Sequence, residues 1–409
     1  MSGTGRRELT SATRSTYIAF IGSGFAFASW ASRIPQVKVQ LDLQPSQLGL
    51  LLLAVAAGSL IALPLSGHVV TRWGSRRTVA SSAVLLAVGL SVAAVGYLYG
   101  VVPVVVGLLL LGLGNGAWDV AMNVQAAAVE RHTGSSIMSR FHAGFSVGTV
   151  GGALVGAIMV GLHVPVTAHL IAVAAVLVAL VPVSVRSFLG DHDLEPRAEH
   201  GDPGPDPGGT VARTGAGSAW KEPRTLLIGV FVLAFSFAEG TGGDWIGVAV
   251  IDGYHAAPVL GTLAFALFLA AMTSGRWFGP ALLDRFGRVV MVRSIAALGV
   301  LGLAVFVFGG STPVAFLGAA LWGVGASLGF PVGMSASSDD PARAAARVSV
   351  VASIGYCAFL AGPPAVGFLG QRFTVLHAMT SVAVMLMLAA VIATSVHPLR
   401  EPVPESERG

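Results

Sequence analysis

The chain is short of charge. Asp, Glu, Lys and Arg make up 11% of its 409 residues, less than half the roughly 25% of soluble domains. That is too little ionic surface for a water-soluble fold of this length. Cysteine occurs once, at Cys357, which excludes an internal disulfide and a cysteine-built metal site. Lysine occurs only at Lys38 and Lys221, neither in a glycine-rich loop, so the chain carries no ATP-driven pump of its own. No block of five or more like charges appears, and a formal net charge of +4 spread this thinly argues against nucleic acid. No His-x-x-x-His pair and no nucleophile–base constellation stands out, so neither an enzyme nor a metal or other cofactor is expected. The Gly112-x-Gly114-x-Gly116 run sits inside an apolar segment with no strand before it, so a dinucleotide loop is excluded and close helix packing is the better reading.

What is present is apolar sequence. Hydrophobic residues are 54% of the chain and glycine adds 53 positions, a composition that also excludes disorder over most of the length. Twelve apolar runs recur between short polar breaks: 16–34, 46–70, 79–99, 102–129, 141–162, 165–185, 225–251, 258–279, 290–309, 313–334, 348–369 and 375–396. Each is long enough for a helix across a bilayer, which takes about 20 residues. The runs are continuous rather than alternating, so a barrel is excluded. The first follows Arg6, Arg7 and Arg14 but has no convincing small-residue cleavage site, so it reads as a retained span. The expected fold is therefore an all-α membrane protein of twelve transmembrane helices.

Residues 187–223 are rich in Gly, Pro and Asp, the composition of a flexible linker. They separate a six-helix half, 1–186, from a second half and short tail, 224–409. With both termini placed in the cytoplasm of a multi-pass protein of the cell membrane, 20 of the 24 basic residues fall on the cytoplasmic side. Arg33, Lys38 and Arg372 remain outside, and Arg276 lies within a span. That asymmetry is the positive-inside rule. The halves also repeat. A shift of 211 residues superposes Gly112 and Gly114 on Gly323 and Gly325, and Gly144, Gly151 and Gly156 on Gly355, Gly362 and Gly367; a shift of 213 superposes Arg72-x-Gly74 on Arg285-x-Gly287. Two parallel six-helix repeats form a transporter plan whose solute site lies between them near the midplane.

Ionisable residues inside such spans are costly and point to function. Asp119 and Asn123 lie one helical turn apart in span four, with Trp118, Met122 and Gln125 on the neighbouring stripe. This wall suits a polar solute with an apolar side, or a polar clamp between helices. Glu239 and Asp244 lie in span seven among Gly240, Gly242 and Gly243, which make that helix either broken or closely packed. Each of these carboxylates is a candidate to bind a proton or solute; for Glu239 the alternative is an ion pair with Arg276 or Arg33. Arg33 and Asp244 coincide under the 211-residue shift, giving an expected Arg33–Asp244 gate at the outer face, against simple snorkelling of Arg33 to water. His142, one turn before Ser146 in span five, is a candidate proton shuttle or an interfacial His. Arg276 is a candidate anion holder, and Tyr356, the repeat mate of Phe145, a candidate for the cavity wall.

The segment Gly67-His-Val-Val-Thr71-Arg72-Trp-Gly74-Ser-Arg76-Arg77 after span two resembles the loop signature of the major facilitator superfamily, and Asp284-Arg285-Phe-Gly287-Arg288 resembles its second copy. Thr71 stands where that signature has Asp, and Pro280 where it has Gly. Ser29–Pro35, Asp119–Gln125, Phe141–Ser146 and Glu239–Trp245 further resemble the MosC-like branch. The resemblance implies gating by Arg72, Arg76, Arg77, Asp284, Arg285 and Arg288. Read alone, the arginines cap a helix turn or meet anionic lipid. Together these readings imply a secondary transporter working by alternating access as a monomer in the lipid bilayer, moving a small polar solute with protons. The alternative is proton-driven efflux of amphipathic drugs. Trp30, Trp118 and Trp245 favour it; Leu108, near the place where such antiporters carry Arg, and the degenerate Gly148–Gly152 stretch count against it.

Overall fold

The computed structural model describes residues 3–133, 137–190, 218–340 and 343–399, and among them there are helices and turns but no strand. In chain order the helices are α1 (Gly3–Ala31), α2 (Ile34–Gln40), α3 (Pro45–Gly96), α4 (Val101–Thr133), α5 (Met138–Gly161), α6 (Val166–Ser184), α7 (Pro223–Tyr254), α8 (Pro258–Phe286), α9 (Arg288–Phe308), α10 (Thr312–Ala326), α11 (Gly329–Ser337), α12 (Ala344–Arg372), α13 (Val375–Ala378) and α14 (Thr380–Ile392). Ten described segments are long and apolar enough to cross a membrane. The first expected span lies in α1, outside that set, and the second and third lie together in α3. Most of the linker, 191–217, and the last ten residues fall outside the described residues.

As a straight rod the 52 residues of α3 would measure about 78 Å, against about 30 Å of bilayer hydrocarbon. The chain instead turns at Gly74, where φ is 77° and ψ 162°. Gly58 and Gly89, on either side of that point, pack on the same stretch of α4, around Gly107–Gly112. The two arms of α3 therefore run side by side. Gly287, between α8 and α9, has φ 77° and ψ 160°, so the two loop signatures adopt the same backbone. Asp42 and His255, with φ 49° and 51°, match at the same offset, and Gly100 and Gly310 also pair as positive-φ glycines. Six of the seven positive-φ positions among the described residues thus repeat along with the sequence, His163 being the exception. Only glycine tolerates this φ/ψ region at little cost, so Gly74→Ala and Gly287→Ala should each lose about 1–3 kcal/mol. Thermal unfolding in detergent checks this; unchanged midpoints would contradict it.

The outside of the bundle is apolar: Leu50, Ile61, Leu65, Val147, Ile158 and Val391 are all exposed. Exposed aromatic residues collect toward the two ends, Tyr99, Phe308 and Phe373 at one and Trp73, Trp277 and Phe286 at the other. That is the pattern of interface anchors around a lipid-facing belt.

Span seven is not broken. α7 runs unbroken from Pro223 to Tyr254, and two of its glycines serve packing, Gly242 against the Phe268 ring and Gly240 against Phe359. The interruption lies in span ten instead, where α10 stops at Ala326 and α11 starts at Gly329.

Candidate functional site

The two halves meet closely at the end of the bundle that carries the α1–α2 turn. A Cβ on Gly49 would lie 2.4 Å from the carbonyl oxygen of Pro363, and one on Gly367 would lie 2.5 Å from that of Pro45. Backbone touches backbone here because no side chain intervenes. Lys38 pairs with Asp252 across the halves at 2.8 Å, the Ser46 hydroxyl donates to the Gln371 side chain, and Gly247 lies against Pro35. A partly exposed ion pair contributes only about 0–1 kcal/mol, so helix packing, rather than Lys38–Asp252, holds this end shut.

At the linker end the described ion pairs stay within one half. Arg288 reaches Asp339 at 2.7 Å and the Ser335 hydroxyl at 2.9 Å, and Arg224 joins the same Asp339 at 2.9 Å. Glu222 holds Arg347 at 2.7 Å and Arg343 at 3.1 Å. In the first half Arg76 donates to the Phe188 carbonyl at 2.9 Å. Thr71, in place of the signature Asp, bonds only back to His68. Glu130 is occupied in capping the start of α5 through the amides of Ile137 and Met138. Arg285 lies over the Phe286 ring; Arg72, Arg77 and Asp284 meet no hydrogen-bond partner among the described residues. The described ion pairs at this end thus all belong to the second half.

The hydrogen bond from Arg347, with further help from Thr225 and Arg343, holds the Glu222 carboxyl below the usual carboxylate range against desolvation. Its folded-state value lies under its unfolded one. The contribution is therefore complete above the unfolded value and lost as pH falls through the folded one. The difference in melting temperature between the wild type and Glu222→Gln should be steady near neutral pH and close at acid pH. A difference that persists in acid would contradict this.

Between the ends lie the intramembrane groups. Glu239 pairs with Arg276 at 2.7 Å, and Arg276 also donates through Nε to the Ser327 carbonyl at 3.2 Å. That carbonyl is free because α10 stops there, leaving its last oxygens without helical partners. His142 lies within electrostatic range of Arg276 across the interface. It also packs edge-on against Phe20. Asn123 Nδ2 donates to the Asp119 carbonyl at 2.8 Å and to its carboxylate at 3.3 Å. Tyr356, from the other half, lies within electrostatic range of Asp119. One turn before Asp119, Asn115 accepts from Ser23 at 3.5 Å. Asn115, Asp119 and Asn123 form one half-buried polar stripe; Asn115 was legible by its spacing and is absent from the sequence reading.

Asp244 is half-buried and has no hydrogen-bond or ion-pair partner among the described residues. Its helical neighbours show which way it faces. Gly240 lies against Phe359 of α12, and Gly247 against Pro35 of α2. Asp244 sits between them on the same stripe, the stripe that meets α12 of its own half and α2 of the other, rather than lipid.

Four of the expected site residues lie elsewhere. Arg33 does not pair with Asp244, nor does it snorkel: it is 2% exposed, donating Nε to His169 Nδ1 at 2.9 Å and a terminal nitrogen to the Val164 carbonyl at 3.2 Å. The turn after α1 aims it at α6 of its own half, and Lys38–Asp252 is the ion pair found at this end. Trp118 is fully buried: one residue from Asp119 is 100° around the helix, which faces it into the packing. Gln125 is likewise buried and accepts from Ser75 at 3.1 Å, a clamp between α3 and α4 rather than cavity wall. Ser146 is nearly buried and bonds back to His142.

A family model described as the Major Facilitator Superfamily matches residues 16–358. An uncharacterised MFS-type transporter of Yersinia pestis is 30% identical over 387 residues, covering 93% of this chain and 95% of that protein. The membrane protein MosC of Rhizobium meliloti is 26% identical over 360 residues, covering 86% and 82%, so the MosC-like resemblance of the motifs extends over most of both chains. Among solved structures, a D-xylose–proton symporter superposes with a TM-score of 0.70 at 14% identity, covering 95% of this chain and 97% of that one.

Proposed function

Because the chain belongs to the major facilitator superfamily and is a multi-pass membrane transporter rather than an enzyme, we propose that it moves a small polar solute by alternating access, coupled to protons. The observation that carries this reading is the unequal treatment of its three acids. Glu239 is neutralised by Arg276, whereas Asp244 faces the junction of the halves without a partner. An unpaired carboxylate in an apolar span is costly when charged and is therefore the group suited to take up and release a proton. Asp119, Asn123 and Tyr356 form the solute wall, and Arg276 with His142 its second side. In this reading residues 1–186 and 224–409 are the rocking units, joined by 187–223. The closed end faces outward, the linker and both termini face the cytoplasm, and a single chain is the working unit.

The Trp30, Trp118 and Trp245 side chains that favoured drug efflux are buried in packing and offer no aromatic wall to a drug. The test is uptake of labelled sugars, cyclitols and nucleosides into proteoliposomes under an imposed pH gradient. Gradient-driven uptake of a polar compound is expected. Extrusion of amphipathic dyes with no polar uptake would favour the efflux reading.

A further inference from the structure

A cavity of about 540 Å3 lies at the closed end; neither Asp119 nor Asp244 is among its lining residues, which include Arg33, Gln36, Lys38, Tyr97 and Asp252. Its charge does not balance. Lys38 and Asp252 neutralise one another, which leaves the Arg33 cation. Arg33 has only neutral partners, His169 and a carbonyl, and one of its two terminal nitrogens has no hydrogen bond among the described residues. A buried charge without a counterion is expensive, and a guanidinium fork is shaped for a carboxylate. Beside it, both polar atoms of the Gln36 amide are buried and unpartnered. Buried amides are normally satisfied, so here a donor and an acceptor stand ready next to an uncompensated cation.

We propose that this cavity is a binding site for a small hydroxylated monocarboxylate. Arg33 takes the carboxylate, and the Gln36 amide takes a hydroxyl and a carboxylate or hydroxyl oxygen. The volume admits a solute of hexose size, and the apolar wall of Val160, Val248 and Val259 accommodates its carbon face.

The test uses the full chain in lipid nanodiscs, where both faces are accessible. In a Cys357→Ser background, Val39→Cys places a thiol on the exposed rim of the cavity. Its rate of reaction with a maleimide is measured with gluconate, with sorbitol of matched size, and with sodium chloride at equal ionic strength. Gluconate should slow labelling, while sorbitol and chloride leave it unchanged. Arg33→Gln should raise the gluconate concentration for half-protection about tenfold or more, the effect of losing one charge-assisted hydrogen bond. Where Arg33→Gln fails to fold, Gln36→Leu carries the test. It should weaken gluconate protection without lowering the melting temperature of the unliganded protein, because it removes an unsatisfied amide. Equal protection by sorbitol, no protection by gluconate, or full protection in both variants overturns the proposal. The readout involves no gradient and no transport, so its outcome is separable from that of the proton-coupled reading.

Discussion

Replacing Asp244 by Asn is expected to reduce pH-gradient-driven uptake in proteoliposomes to the level of protein-free liposomes. Asn keeps the size and polarity of the side chain but cannot carry a proton. Asp244 meets no hydrogen-bond partner among the described residues, so the substitution breaks no recorded bond and folding should survive. Solute exchange without a gradient should therefore persist while accumulation disappears. Glu239→Gln is the contrasting case. Its carboxylate is held by Arg276 at 2.7 Å, so its loss should weaken solute handling and loosen the Ser327 contact of Arg276 while the pH dependence stays. Accumulation that survives in Asp244→Asn, or a loss of coupling confined to Glu239→Gln, would reverse these assignments.

The second large effect concerns closure. Gly49→Leu and Gly367→Val each push a side chain onto the backbone of the opposite half, where a Cβ alone already falls 2.4 and 2.5 Å from a carbonyl oxygen. Neither half needs to deform if the halves separate at this end. The substitutions should therefore shift the population away from the observed state rather than unfold the protein. Moving a balance from 99:1 to 1:99 takes about 5.5 kcal/mol, and overpacking typically costs about 1–3 kcal/mol per site, so the double variant, at about 2–6 kcal/mol together, is expected to shift the balance strongly toward the opposite state. Transport should be lost with melting behaviour retained. A double variant that still transports would show that this packing does not seal the path.

Much of the architecture was written in the chain because its signals are local. Apolar run length set the spans, and the repeated Arg72-x-Gly74 and Arg285-x-Gly287 signatures fell at the turns, where the structure gives both glycines a φ of 77°. Helical spacing also placed Asp119 with Asn123 correctly. Partner choice was not local. Arg33 and Asp244 coincide in the repeat, yet Arg33 turns to His169 of its own half because the chain breaks after Ala31. Asp339, which binds Arg288 and Arg224, is an ordinary loop acid in the sequence, and only the fold brings two arginines to it. The break in span ten fell at Ser327 and Leu328, not among the glycines of span seven, where Gly240 and Gly242 pack against Phe359 and Phe268.

The most direct measurement of alternating access needs no substrate. Gly243, beside Asp244, has open space around its would-be Cβ. In a Cys357→Ser background, Gly243→Cys can be challenged with a membrane-impermeant thiol reagent applied to one face at a time in oriented membranes. Reaction is expected from the linker face in the otherwise native chain, and from the opposite face once Gly49→Leu and Gly367→Val are added. A thiol that reacts only with lipid-soluble reagents, or from the same face in both proteins, would contradict it.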